Sequence, residues 1–114
     1  MPDAPIARTG RYDVLVAGSP GPNVASTCTL VRDGEVVAVV DPGLAPSQEA
    51  ILGPLRALGL EASDVTDVVI SHHHPDHTIN IALFPSARVH DHWAIYDFAG
   101  RWDDVDCEGR ELSP

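Results

Sequence analysis

Four of the six histidines lie within six consecutive residues, 72 to 77, which read His-His-His-Pro-Asp-His. They follow directly after Val68 to Ile70, an apolar run of the kind that forms a short buried strand. Alternate side chains of extended backbone point the same way, so His72 and His74 can share one ion while His73 points to the opposite side. The pattern therefore predicts a metal site at the edge of a sheet.

The second half of the cluster follows a stiffened bend. Pro75 fixes its own φ and restrains His74, so Asp76 and His77 can address a second position about 3.5 to 4 Å from the first. The pattern H-x-H-x-D-H therefore suits two metal ions. Imidazole nitrogen and carboxylate oxygen suit Zn²⁺, with Fe or Mn as alternatives, and the absence of Cys from the cluster argues against a closed structural zinc site. Open coordination positions indicate catalysis.

A plainer alternative is that these are surface histidines or the remnant of an affinity tag. A tag would sit at a terminus, without a buried strand leading into it. A solvated histidine run would also not need the embedded Pro75-Asp76 pair. The spacing favours the metal site.

Length and composition predict one domain over residues 1–114, of 12.2 kDa. Seven basic and seventeen acidic residues give a net charge of −10, which disfavours nucleic acid as a partner except locally, through a metal site. Cys28 and Cys107 are too few for a disulfide framework. The N-terminus lacks the apolar segment of a signal peptide, and no apolar stretch is long enough to span a membrane. These features predict a cytoplasmic protein.

The first forty residues predict three strands. Asp33-Gly34 joins the second strand to the third and is typical of a type I′ hairpin turn. Val36 to Val40 is apolar on both faces, which indicates a strand covered on both sides. Residues 18–22 are rich in Gly and Pro and predict a loop. The three predicted strands are Tyr12–Val16, Thr27–Arg32 and Glu35–Val40.

An amphipathic helix follows, with Ser47 as its expected N-cap and Gly59 as its expected end. Its apolar residues recur at helical spacing. Pro54 falls inside it and predicts a kink or a split into two short helices. Strand, helix and the strand at Val68 to Ile70 together indicate an α/β arrangement.

The last third is predicted to contain a helix over Thr78–Phe84, a strand over Arg88–His90 and a helical or turn segment over His92–Phe98. An acidic, solvated tail over 99–114 is expected to follow. Cys28 is expected to pack in its strand. Four of the six aromatic side chains cluster here, either at a substrate mouth or as edge packing of the sheet. They are Trp93, Tyr96, Phe98 and Trp102.

The H-x-H-x-D-H pattern after a short strand resembles the signature of the metallo-β-lactamase superfamily of metallohydrolases. Residues 23–43 are similar to that family's opening hairpin, which ends in an Asp-x-Gly turn, here Asp41-Pro42-Gly43. The resemblance covers about residues 12–98. It implies an α/β (α+β) fold, half of a four-layer αββα sandwich, with a mixed β-sheet, an opening antiparallel hairpin and covering helices.

Carried over residue by residue, the resemblance makes His72 and His74 ligands of the first metal and Asp76 and His77 ligands of the second. Asp76 would also orient the attacking hydroxide. Asp41 would hydrogen-bond to a ligand histidine, fix its tautomer and raise its basicity. The family commonly has glycines after its Asp-His pair, whereas this chain has Thr78-Ile79. His90 and His92 are not assigned as ligands.

The family's domain is longer, and its second half supplies a further His for each metal and a bridging Asp. The chain is therefore expected to be the N-terminal half of such a domain, with 99–114 as an acidic tail or a truncated continuation. The predicted activity is hydrolysis by a dinuclear zinc centre, whose activated hydroxide attacks a small-molecule ester, lactone, thioester, β-lactam or phosphodiester. The alternative is a truncated, non-catalytic metal-binding or interaction module. A second copy or a complementing C-terminal half would then complete the site.

Overall fold

The computed structural model describes residues 10–20 and 24–105. Within them, seven strands form one sheet in which the strands lie side by side in chain order. The first three strands are antiparallel, the third to fifth are parallel, and the last three are antiparallel again. The strands are β1 Gly10–Val16, β2 Cys28–Asp33, β3 Val36–Val40, β4 Asp67–Val69, β5 Arg88–His90, β6 Ala94–Tyr96 and β7 Trp102–Asp104.

Two helices connect the parallel strands. Helix α1 (Glu49–Ala57) crosses from β3 to β4, and helix α2 (Pro75–Thr78) lies between β4 and β5. Both crossovers advance the sheet in the same direction, so right-handed connections place both helices on one face. This mixed sheet with helices confirms the predicted α+β class. No helix in the described part of the chain is long and apolar enough to cross a membrane.

The core lies between the sheet and helix α1. Leu30, Val39, Val68 and Val89 face one another across four adjacent strands, and each is at most 1% exposed. Helix α1 adds its buried Ile51 and Leu55 to the same cluster. At β3, the neighbouring residues Ala38 and Val39 are both buried, so the expected cover on both faces holds at the centre of the strand.

The hairpin between β2 and β3 is present, but its turn lies one residue later than predicted. Asp33 is paired with Val36, so the central turn residues are Gly34 and Glu35. Gly34 alone has a positive φ, of 60°, which is the pattern of a type II′ turn and not of type I′. A type I′ turn centred on Asp33-Gly34 would instead place Asp33 in the left-handed region, a cost that the observed register avoids.

Helix α1 lies between the two predicted end residues, Ser47 and Gly59, although the residue that precedes its first helical position is Gln48. The Ser47 hydroxyl accepts a hydrogen bond of 3.2 Å from the N–H of Ala50. Gly59 has a φ of 84°, and the N–H groups of Gly59 and Leu60 donate to carbonyls of the last turn, as in a Schellman motif. Of the two outcomes predicted at Pro54, a kink or a split, the split is wrong, because the helix is continuous through it. Pro54 leaves one backbone hydrogen bond unmade, and the buried apolar face outweighs that loss.

The last third differs most from the prediction. The expected helix over Thr78–Phe84 is replaced by α2, which starts at Pro75, and a separate 3₁₀ turn at Ile81–Leu83. The expected helical or turn segment over His92–Phe98 contains strand β6, which pairs with β5 and β7. Part of the expected acidic tail is itself strand β7. Cross-strand pairing overrides local composition here. Residues 106–114, including Cys107, lie outside the described residues.

Candidate metal centre

The candidate centre lies where β3 and β4 end. These strands are parallel neighbours, so their carboxyl ends meet at one edge of the sheet. Asp41 directly follows β3, and Ser71 follows β4 after the buried Ile70. Helix α2 then begins at Pro75, whose missing N–H costs no hydrogen bond at a first helical position. The predicted bend after His74 is therefore the start of a short helix.

Asp41 is the anchor of this edge. It is 7% exposed and has a φ of 55°, a left-handed conformation that Asp tolerates better than most residues. Its Oδ1 accepts a hydrogen bond of 2.7 Å from the N–H of Ser71. Its Oδ2 accepts one of 2.7 Å from the Ser71 hydroxyl and one of 3.0 Å from Nδ1 of His77. One buried carboxylate thus ties the ends of two strands to helix α2.

The turn after Asp41 holds α2 by its backbone. The N–H of Leu44 donates to the carbonyl of Asp76 over 2.8 Å, and the Asn80 side chain donates to the carbonyl of Gly43 over 2.8 Å. A side chain at Gly43 would collide with the backbone of Asp76. Gly43 is therefore required by close approach, and this approach fixes the positions of Asp76 and His77.

The four predicted ligands lie together. The ring centroid of His72 is 4.6 Å from that of His74 and 4.2 Å from that of His77. Nε2 of His77 is 3.3 Å from Oδ2 of Asp76. Asp41 as a carboxylate can only accept, so Nδ1 of His77 carries the proton and its Nε2 is a lone pair. Two acceptors, Nε2 of His77 and Oδ2 of Asp76, therefore face each other and repel unless they share a proton or a cation.

The chemistry of this donor set fits a divalent metal ion. Three imidazoles and one carboxylate are the donors that zinc takes in catalytic sites. In the described ranges, however, no group of three or more His, Cys, Asp or Glu side chains is arranged so that it could hold an ion. His72 and His74 are exposed, so their rings can turn towards a shared ion at little cost. The residues fit as part of a metal site.

His73 points away from the other histidines, as the alternation of an extended chain predicts. Its Nε2 is 2.9 Å from Oδ2 of Asp91, and its ring stacks on Trp93 with centroids 5.9 Å apart. Burial alone would raise the pKa of Asp91. That pKa is nevertheless held below its usual value. Asp91 accepts hydrogen bonds from the backbone N–H groups of Trp93 and Ala94 and from His73, and these bonds together with the charge of His73 outweigh burial.

The remaining candidate residues lie elsewhere. Nε2 of His90 is 2.8 Å from Oδ1 of Asp67, and His92 packs edge-on against Trp93. Tyr96 stacks on Trp102 across β6 and β7, which is edge packing. Cys28 is 1% exposed, and burial followed by the charge of Asp41 raises its pKa to about 12. The prediction that Cys28 packs in its strand is confirmed.

Sequence reasoning missed three residues that shape this edge. Ser71 is the first of them, and its hydroxyl and N–H both contact Asp41. A signal existed, because Asp41 and Ser71 both follow strands whose carboxyl ends meet. Asp91 is a turn residue of a type that sequence can indicate, since its side chain accepts hydrogen bonds from the N–H groups of Trp93 and Ala94, two and three positions later. Nothing in the sequence indicated Asn80.

Comparison with known proteins decides the family. The family model of the metallo-beta-lactamase superfamily matches residues 21–106. The chain belongs to this superfamily. A Thermotoga maritima protein assigned to the metallo-beta-lactamases has the same fold, with a TM-score of 0.63 and 29% identity over 71% of this chain and 42% of that one. A metallo-beta-lactamase family protein of Thermus thermophilus gives a TM-score of 0.54 and 31% identity, over 64% of this chain and 25% of that one.

A human relative is similar to part of this chain. It is metallo-beta-lactamase domain-containing protein 1, 47% identical over 51 residues, which are 45% of this chain and 19% of that protein. The chain thus spans less than half the length of each of these three proteins. Membership of the superfamily supports an enzymatic, hydrolase-like ancestry and the metallo-beta-lactamase fold.

Proposed function

We propose that this chain provides the metal-binding edge of a metal-dependent hydrolase. His72 and His74 would hold one zinc ion, and Asp76 and His77 a second, with Fe or Mn as alternative metals. The observation that carries the proposal is the 3.3 Å approach of Nε2 of His77 to Oδ2 of Asp76, with Nδ1 of His77 held by Asp41. This arrangement leaves two donor atoms side by side, with the imidazole rings of His72 and His74 next to them as the third and fourth donors.

When bound, zinc supplies Lewis acidity and lowers the pKa of a water molecule towards neutrality. The chain's own residues would hold the ligand histidines in the required tautomer and orient the attacking water. Asp41 keeps the proton of His77 on Nδ1 and so keeps Nε2 a donor to metal. Asp76 has one carboxylate oxygen beside His77 and a second that can accept a hydrogen bond from the attacking water. Asp76 is thus the catalytic residue of the proposal, and its role is to orient that water.

The proposed substrate is a small molecule with an electrophilic carbonyl or phosphoryl centre. A carbonyl or phosphoryl centre in a small ester, lactone, thioester, β-lactam or phosphodiester suits attack by an activated water. The net charge of −10 makes a nucleic acid an unfavourable substrate, since its phosphates would be repelled by most of the surface. We place the protein in the cytoplasm as part of the same proposal.

A second candidate function is a non-catalytic metal-binding or interaction module. It is favoured by one observation, namely that no three donors in the described part of the chain are arranged to hold an ion. Two protein ligands for each ion give weaker zinc affinity than three. A second copy of the chain, or a complementing C-terminal half, would be the partner that completes the site.

The test is zinc content and mass measured on one sample, by elemental analysis and light scattering. The hydrolase proposal expects about two zinc ions per complete site and turnover of p-nitrophenyl butyrate, a γ-lactone or bis-p-nitrophenyl phosphate. His74→Ala should abolish turnover and reduce zinc affinity at least tenfold. His92→Ala is the matched control, because His92 is exposed and contacts Trp93 instead of the cluster.

Stoichiometric zinc without turnover of any of the three substrates would favour the binding module. A protein that takes up no zinc, or takes up equal amounts in wild type and His74→Ala, would overturn both candidates.

A further inference from the structure

The Ser71 hydroxyl lies between Asp41 and His72. It is 2.7 Å from Oδ2 of Asp41 and 2.9 Å from Nδ1 of His72. The N–H of Ser71 separately donates to Oδ1 of Asp41 over 2.7 Å. The backbone of Ser71 is therefore held even without the hydroxyl, so the hydroxyl has a role of its own.

The direction of these hydrogen bonds follows from counting protons. A carboxylate has no proton to donate, so the single hydroxyl proton of Ser71 goes to Asp41. The hydroxyl oxygen can then only accept from His72, and Nδ1 of His72 must carry the proton. His72 is thereby held as the Nδ1–H tautomer, with its lone pair on Nε2. His77 has the same tautomer through its direct bond to Asp41.

We propose that Ser71 is a positioning residue that extends the effect of Asp41 to His72. One buried carboxylate then sets Nε2 as the donor atom of two histidines, His77 directly and His72 through the serine. The inference rests on the proposed function in one respect, that these Nε2 atoms bind metal. The ring of His74 makes an edge-on contact with His72 and belongs to neither path, so His74 serves as an internal reference.

The tautomer can be read in the metal-free protein. Two-bond ¹H–¹⁵N correlation spectra of the histidine rings, recorded at pH 8, distinguish Nδ1–H from Nε2–H. We expect Nδ1–H for His72 and His77 in wild type. In Ser71→Ala, His72 should shift towards Nε2–H, which an unconstrained histidine prefers in water, whereas His77 should keep Nδ1–H. Ser71→Thr retains the hydroxyl and should behave as wild type.

Zinc affinity gives the second measurement, by competition with a chromophoric chelator. Ser71→Ala should bind zinc about tenfold more weakly, which is the lower end of the range for removing a hydrogen-bond partner of a metal-binding histidine. The zinc affinity of Ser71→Thr should stay within about twofold of that of wild type. Urea midpoints of both variants show whether they are folded.

Several results would overturn the inference. They are Nε2–H at His72 in wild type, an unchanged His72 tautomer in Ser71→Ala, or a Ser71→Thr variant that is folded and no better than Ser71→Ala. The tautomer is measured without metal, so it decides the role of Ser71 even if wild type binds no zinc. Failure to bind zinc would instead count against the proposed function.

Discussion

Two histidine–aspartate pairs in this molecule look alike and differ in what surrounds them. Nδ1 of His77 is 3.0 Å from Oδ2 of Asp41 at the edge of the sheet. Nε2 of His90 is 2.8 Å from Oδ1 of Asp67 between strands β4 and β5, and this second pair is called the surface pair below. The aspartate side chains are similarly buried, at 10% and 14% exposure. Distance and burial alone therefore do not separate a metal-site pair from a packing pair.

The two pairs differ in the charged groups that surround them. Asp67 also accepts a hydrogen bond from Thr66, and the Arg88 guanidinium is 3.5 Å away. At the edge, within the described ranges, the basic side chain beside both Asp41 and Asp76 is His77, a neutral imidazole in the Nδ1–H tautomer. Two carboxylates there share one imidazole, whereas one carboxylate at Asp67 has two basic partners. The edge lacks positive charge, and the surface pair is already neutralised, which is why only the edge is expected to attract a cation.

The largest expected effect tests the backbone beneath the edge. Gly43→Ala should reduce the free energy of unfolding by about 3 kcal/mol, because its new methyl group would collide with the backbone of Asp76. Gly53→Ala is the control, since a methyl there meets only the Glu49 side chain at 3.8 Å and should stabilise helix α1 by about 0.5 to 1 kcal/mol. Urea unfolding measures both. Equal stabilities would show that the turn is not closely packed on α2.

The next effect separates the two aspartates directly. Asp41→Asn keeps a residue that tolerates the φ of 55° but replaces an acceptor by an amide, so zinc affinity should fall about 10- to 100-fold. Asp67→Asn should change zinc affinity less than twofold, because Asp67 serves His90 and not the cluster. Chelator competition measures both. Equal losses in the two variants would contradict the distinction between the pairs.

The smallest effect concerns the stability of the surface pair. Burial would raise the pKa of Asp67, but hydrogen bonds from His90 and Thr66 and the charges of His90 and Arg88 hold it below its usual value. A lowered pKa in the folded state contributes stability above the unfolded pKa of about 3.9, and this stability is lost as pH falls through the folded pKa.

Asp67→Asn should therefore cost about 1 kcal/mol at pH 7, and the difference from wild type should shrink as the pH is lowered from 5 towards 2. Urea unfolding over this pH series is the measurement. A difference that stays constant down to pH 2 would show that Asp67 stabilises the fold by packing and not by its charge.

Local rules account for the parts of the fold that were predicted correctly. Helix α1 was recognised from apolar spacing, Ser47 and Gly59, and all three signals act within a few residues. The opening hairpin is predicted correctly, but its turn lies one residue later than predicted. Gly34 marks a turn in the sequence, but its presence does not specify how the residues of β2 and β3 pair. The direction of His73 followed from alternation alone.

Strands β6 and β7 could not be recognised by such rules. Each has three residues, which are too few for a periodic pattern. Their backbone is held by pairing with β5 and with each other, which depends on residues outside the segment. Asp91 starts this pairing, because its side chain accepts the N–H groups of Trp93 and Ala94 and turns the chain back.

The types of the donor residues, the alternation of His72 and His74, and the bend at Pro75 all follow from neighbouring residues. Which carboxylate forms hydrogen bonds with these donors depends on how distant segments of the chain pack together. Asp41 lies 30 positions before Ser71 and 36 before His77 in the chain. They meet because β3 and β4 are parallel neighbours that end at the same edge, and Gly43 allows α2 to approach that edge closely. Such a meeting depends on the long-range pairing of strands, which no local pattern of residue types encodes.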